Sequence, residues 1–354
     1  MKGGARFLVA TLDELDTIPI AHGLVWRPIR RRFDLRGFGV NAYTSEEVGG
    51  QVVEEHTEER YRHEELYVVV RGRATFTLDG EEVDAPAVTF VHLADPRVRR
   101  VATAQTPDAT VLALGGRPGE AFRVSAWETI FAAIPATRAE RWDEAIRLHE
   151  EALREDPGNA TLLYNLACME ARGGRHLDAL LHLQRAVELD PQTAAWAQRD
   201  SDFAAIAREQ GFPPAPSSPP REEPLPPREP GDGPGWRAAR LEELPERDGR
   251  VQVRAALGFG PVGVDAWLAR APGDEAIEEH DERDSGHEEL YLVLSGRARF
   301  AIDGREVDAP AGTLVAVAPA ATRSAVGVDP GTAILALGAT PGEAFAPRER
   351  EREA

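Results

Sequence analysis

The 354-residue sequence predicts a multi-domain β + α protein: two related β domains, each a sandwich or barrel, separated by a small all-helical segment. Three observations predict it. The stretch HEELYVVVRGRATFTLDGEEVDAP at 63–86 returns 224 residues later as HEELYLVLSGRARFAIDGREVDAP, with 17 of 24 positions identical. Between the two copies, apolar residues switch to helical spacing. That helical stretch also repeats internally, with a period of 34 residues.

In chain order, the first copy covers 5–125 and the second 236–346. LDEL (12–15) is echoed by LEEL (241–244), GVNAY (39–43) by GVDAW (263–267), and VEEH (53–56) by IEEH (277–280). TVLALGGRPGEAF (110–122) returns as AILALGATPGEAF (333–345), one residue out of step with the rest. Within each copy LYVVV or LYLVL and the following run are β-rich. Asp79-Gly80 and Asp303-Gly304 are hairpin signals, because a type I′ turn needs positive φ at both central positions. Strand 66–70 is expected to pair through the Asp79-Gly80 hairpin.

The helical segment occupies 126–211. Ala145/Ala179, Ala152/Ala186 and Pro157/Pro191 recur at its period, and the alanines are expected where helices cross closely. FPPAPSSPPREEPLPPREPGDGPG (212–235) is a proline-rich linker. At about 3.1 Å per residue in extended form it is long enough to let the second β domain return and pair with the first. Residues 347–354 form a charged tail.

Composition narrows the function. Lys and Arg number 41 against 60 Asp and Glu, a net charge of −19, which argues against nucleic acid or an anionic membrane as partner. The single cysteine, Cys168, excludes an internal disulfide and a Cys-rich zinc site. No apolar run has the length of a membrane span, and the N-terminus lacks a signal-peptide core, so a cytoplasmic protein is expected.

HEELY, the hairpin and DAPAGTLVAVAP (308–319) resemble the cupins, and Leu163, Leu166, Gly174, Ala179, Leu183, Ala186 and Pro191 resemble the tetratricopeptide repeat. The resemblance implies a bicupin: two cupin-type jelly-roll β-barrels separated by a small tetratricopeptide-like helical insert. The first cupin motif places a Glu seven residues before a Gly, as Glu65/Gly72 and Glu289/Gly296 do. Gly312 opens the second motif in the second copy, whereas Val88 stands at that position in the first.

Cupins hold a divalent metal with His-x-His, this Glu and a final His. Here the His-x-His positions fall on Glu59 and Tyr61, or Glu58 and Arg60, in the first copy. In the second they fall on Arg283 and Ser285, or Glu282 and Asp284. The final His falls on Arg99 and on Arg323. Three of the family's four ligands are thus replaced in each copy.

Two functions follow from the resemblance. The first is a small-molecule-binding protein with a helical protein-docking module and no certain cofactor. Its ligand-binding residues inside the barrels would be His63, Glu65, Tyr67 and Arg99, then His287, Glu289, Tyr291 and Arg323. Glu65–Arg99 and Glu289–Arg323 are expected to meet, the guanidinium standing where a metal would, because a buried carboxylate needs compensation. The second is a metal-dependent enzyme, a dioxygenase or isomerase. It would hold zinc, iron, manganese or nickel on relocated sets, His56/His63/Glu65 and His280/His287/Glu289, two imidazoles and a carboxylate each. A homo-oligomer or intramolecular pairing of the barrels fits either.

Other signals carry less. GFGPVG (258–263) matches a dinucleotide-binding pattern but contains Pro261 and precedes a strand, so no such site is expected. His176 and His182 do not share a helix face, Cys168 is expected in a helical core, and His92, matched by Ala316, is assigned no role.

Overall fold

The computed structural model describes residues 4–215, 225 and 233–347. Most of the linker at 212–235 and nearly all of the 347–354 tail lie outside the described residues. The chain divides into two compact units, one of 1–123 with 227–354 and one of 124–226.

The first unit contains both barrels. The first repeat supplies β1 (Phe7–Thr11), β2 (Ile18–Pro19), β3 (Leu24–Arg27), β4 (Gly39–Ser45), β5 (Gln51–His56) and β6 (Glu64–Arg71). It continues with β7 (Arg73–Leu78), β8 (Glu81–Pro86), β9 (Thr89–Leu93), β10 (Arg100–Ala104) and β11 (Ala109–Gly116). The second supplies β12 (Trp236–Arg240), β13 (Glu246–Arg247), β14 (Arg250–Val251), β15 (Gly263–Ala269), β16 (Glu275–His280) and β17 (Glu288–Ser295). Its remaining strands are β18 (Arg297–Ile302), β19 (Arg305–Pro310), β20 (Thr313–Val317), β21 (Arg323–Gly327) and β22 (Thr332–Ala339).

Each barrel closes a seven-stranded sheet over a four-stranded one. In the first barrel these run β12-β9-β6-β11-β4-β3-β2 and β5-β10-β7-β8; in the second, β1-β20-β17-β22-β15-β14-β13 and β16-β21-β18-β19. Each repeat lends its first strand to the other barrel. Phe7 to Thr11 pair antiparallel with Val317 to Thr313, and Trp236 to Arg240 with Leu93 to Thr89. The exchange covers an edge of each large sheet.

The central strands explain why LYVVV and LYLVL are apolar without interruption. Successive side chains point to opposite sides of a strand. On β6, Leu66 and Val68 enter a core shared by the two barrels, while Tyr67 and Val69 enter the interior of their own barrel. On β17, Leu290, Leu292 and Leu294 face the shared core, and Tyr291 and Val293 face inward. Both sides are buried, so both need apolar residues.

Asp79 (φ 49°) and Gly80 (φ 91°), like Asp303 (φ 48°) and Gly304 (φ 75°), adopt the left-handed geometry of the expected turn. That hairpin joins β7 to β8, not β6 to a neighbour: β6 pairs with β9 and β11. The reason lies at Gly72 and Gly296, with φ of +72° and +68°, which turn the chain from one sheet into the other. A Cβ at Gly296 would stand 2.9 Å from Thr332 Cα, and one at Gly72 3.1 Å from Ala109 Cα, so the crossing is made where only glycine fits.

The second unit is helical. Short α1 (Ile29–Phe33) precedes it in the first repeat; its own helices are α2 (Ala126–Arg138), α3 (Trp142–Glu155), α4 (Ala160–Arg172), α5 (His176–Leu189) and α6 (Gln192–Ala197). A second short helix, α7 (Val253–Leu257), belongs to the second repeat. Ser125 and Asn159 cap α2 and α4 through their side chains. Ala145, Ala179 and Ala186 are wholly buried, whereas Ala152 is only partly so. Cys168 lies in this core, as expected. His182 binds buried Glu170 at 2.8 Å and forms no pair with His176.

Candidate functional site

The pairing registers bring the polar residues of each barrel to one end of its interior. Arg100 opens β10 opposite His56 on β5 and Leu78 on β7. Arg323 opens β21 opposite His280 and Ile302. Glu65 and Glu289 project from β6 and β17 between these sheets.

In the first barrel, Glu65 Oε2 accepts a hydrogen bond from the Tyr67 hydroxyl at 2.7 Å. The same oxygen lies 3.5 Å from His56 Nε2 and 3.4 Å from Arg100 Nε. Burial works to raise the Glu65 pKa, but contact with His56, Arg100 and Tyr67 outweighs it and holds the carboxyl well below the usual range. His56 donates from Nδ1 to the Glu54 carbonyl at 2.8 Å, which turns Nε2 toward Glu65. Burial lowers its pKa and the Glu65 contact raises it, with a net rise.

The second barrel repeats the arrangement more tightly. Tyr291 donates to Glu289 Oε2 at 2.5 Å, His280 Nε2 lies 3.5 Å from that oxygen, and Arg323 Nε lies 2.9 Å from it. The Glu289 contact raises the His280 pKa against burial. Both arginine side chains are completely buried.

The expected Glu289–Arg323 pair is present. The expected Glu65–Arg99 pair is not. Arg99 points to the surface, its side chain 69% exposed, and pairs with Glu55 at 2.8 Å. Arg100 takes the interior position because the first barrel has one more residue between β9 and β10. The shifted echo at 110–122 and 333–345 already carried that offset, and applying it upstream to Arg323 gives Arg100.

His63 and His287 also depart from expectation. Each precedes its strand and approaches a different carboxylate: His63 Nδ1 lies 3.0 Å from Glu58, and His287 Nδ1 lies 3.9 Å from Glu282. The donors that converge are His56, Glu58 and Glu65, and His280, Glu282 and Glu289, each set lying within 4.8 Å. Glu58 and Glu282 were therefore the missed members. Both occupy positions that the longer motif count assigns to the family's first His.

In each set the Glu oxygen nearest the imidazole is also the one beside the buried guanidinium. At an effective dielectric near 20, that guanidinium sets roughly 8 kcal/mol of repulsion at about 4 Å against the attraction of the two carboxylates for a dication. A buried carboxylate already compensated by a cation gains less from a second one.

The other Glu of each HEELY serves the contact between barrels. Glu64 Oε2 accepts from Gly260 N at 2.9 Å, and Glu288 Oε2 accepts from Arg36 N at 2.7 Å and Gly37 N at 3.0 Å. His92, assigned no role from the sequence, is buried here. Its Nδ1 donates to the Leu257 carbonyl at 3.0 Å, and its Nε2 lies 3.6 Å from Glu64. Gly258–Gly263 thus belongs to this contact and the turn into β15, in keeping with its rejection as a dinucleotide loop.

The chain carries the bicupin fold, with an inserted helical segment. A family model described as the tetratricopeptide repeat matches residues 136–199. Among solved structures, protein Ylba from E. coli is similar at 11% identity, covering 96% of this chain and 93% of that one with a TM-score of 0.52. The Lactobacillus farciminis oxalate decarboxylase formate complex matches at 12% identity, 95% and 87% coverage and a TM-score of 0.48. The E. coli pirin YhhW in complex with nickel(II) matches at 10% identity, 95% and 99% coverage and a TM-score of 0.45. At 11% identity the likeness to protein Ylba is one of fold. No curated protein sequence matches the chain.

Proposed function

We propose that the protein is a metal-independent small-molecule-binding bicupin whose helical unit docks a protein partner. The observation that carries this reading is the buried guanidinium beside each barrel's Glu. Arg100 Nε, Nη1 and Nη2, and Arg323 Nε and Nη2, are buried without a hydrogen-bond acceptor among the described residues. Buried donors are costly unless paired, so these are poised to take acceptor atoms from a ligand. Glu65, Tyr67, His56 and His63 line the approach in the first barrel; Glu289, Tyr291, His280 and His287 do so in the second.

Docking by the helical unit is supported by the tetratricopeptide match and by Leu177 and Leu181, exposed one turn apart on α5. No helix among the described residues is long and apolar enough to cross a membrane. The convergent donor sets favour a second reading, a metal-dependent dioxygenase or isomerase, against which the arginines weigh.

The test is a thermal-shift screen of small polar molecules against the full chain after treatment with a chelator. Stabilisation by at least one compound, undiminished by the chelator, is expected. Stabilisation that appears only when a divalent metal is restored would overturn the reading.

A further inference from the structure

We infer that the first barrel is the ligand-binding one, that its ligand is a small organic acid, and that Arg100 takes its carboxylate. The inference rests on the metal-independent reading above and goes beyond it by naming the barrel and the ligand chemistry.

The two centres share their residue types but not their state of satisfaction. Arg323 donates from Nη1 to the Ala321 carbonyl at 2.8 Å and closes to 2.9 Å on Glu289. Its Nε and Nη2 are still without a hydrogen-bond acceptor among the described residues. Arg100 has only a longer ion pair, its Nε 3.4 Å from Glu65, and all three guanidinium nitrogens lack a hydrogen-bond acceptor among the described residues. A guanidinium presents parallel donors that match the two oxygens of a carboxylate.

The mouths differ in the same direction. In the second barrel Ser285 bonds the Glu282 carboxylate, and the side chains of Glu282 and His287 keep only 5% and 15% of their surface exposed. In the first, Tyr61 stands in place of Ser285 and stacks on His63 with ring centroids 5.8 Å apart. Glu58 and His63 keep 13% and 30% exposure there. The first barrel is therefore both less satisfied inside and more open outside.

The buried guanidinium favours an acid, because its unused parallel donors match the two oxygens of a carboxylate. Glu65 already has Tyr67 and His56 as partners, so Arg100 can turn its fork to a ligand while Glu65 keeps its own bonds.

The test uses acetate and its neutral isostere acetamide, titrated into the chelator-treated full chain and followed by the Nε–H NMR signals of its arginines. Arg100→Lys and Arg323→Lys assign the two buried signals. Acetate should move the Arg100 signal saturably, bind at least about tenfold tighter than acetamide, and leave the Arg323 signal in place. Arg100→Lys should weaken acetate about tenfold, and Arg323→Lys by less than about twofold, since Lys keeps the charge but loses the fork. Equal binding of acetate and acetamide, or a response at Arg323 rather than Arg100, would overturn the inference. Because the acetate–acetamide comparison is made in the unmodified chain, poor folding of a variant does not blur that comparison. Chelator-resistant binding of a neutral compound with no acetate response would sink this inference alone. Binding that requires added metal would sink the reading beneath it as well.

Discussion

The two barrels carry nearly the same sequence around their central Glu, yet they hold their buried arginines differently. In the second, Arg323 rests on a backbone carbonyl and a carboxylate 2.9 Å away. In the first, Arg100 has only a looser contact with Glu65. The difference comes from outside the repeated stretch. One loop is a residue longer, and Tyr61 replaces Ser285 at the mouth. A duplicated motif therefore fixes which side chains meet; the connections around it decide whether they are satisfied.

The largest expected effect separates the two arginines by stability. Arg323→Met removes a hydrogen bond and leaves Glu289 with His280 as its remaining cationic neighbour, which should cost about 3 kcal/mol. Arg100→Met should cost less by about 1 kcal/mol, because Arg100 gives up no hydrogen bond. Arg99→Ala, on the surface, should cost under about 1 kcal/mol. Urea denaturation followed by near-ultraviolet circular dichroism checks the order; equal losses at Arg100 and Arg323 would erase the distinction.

A smaller effect concerns pH. The Glu65 and Glu289 contacts raise the pKa of His56 and His280 in the folded state. A raised folded pKa means stabilisation that is fully present below the unfolded value near 6.5 and lost as pH rises through the folded value. Proton NMR titration should place both imidazoles above 6.5. Because each arginine lowers its neighbouring imidazole, Arg100→Met should push His56 further up and Arg323→Met should do the same to His280. A variant that leaves its imidazole unchanged would break the proposed pairing in that barrel.

Much of this was legible in the sequence. The duplication and its cupin motifs gave the bicupin architecture, the Asp-Gly pairs gave the β7–β8 and β18–β19 turns, and three of the four alanines at the 34-residue period are buried in the helical core. Arg323 was legible because Gly312 opens its motif in register. Arg100 was not, because the count began at Val88 and ran through a loop where one residue had been gained. Motif spacing holds within a strand and fails across an insertion. The inter-barrel roles of Glu64, Glu288 and His92 were also hidden. Their partners, Gly260, Arg36, Gly37 and Leu257, lie 165 or more residues away for the bonds concerned and carry no pattern beyond the backbone itself.

The central claim is that a guanidinium stands in each barrel where a cupin metal would be held. Elemental analysis of the freshly purified full chain by inductively coupled plasma mass spectrometry tests it most directly. Metal well below one equivalent per chain is predicted; about two equivalents of zinc, iron, manganese or nickel, one for each barrel, would contradict it.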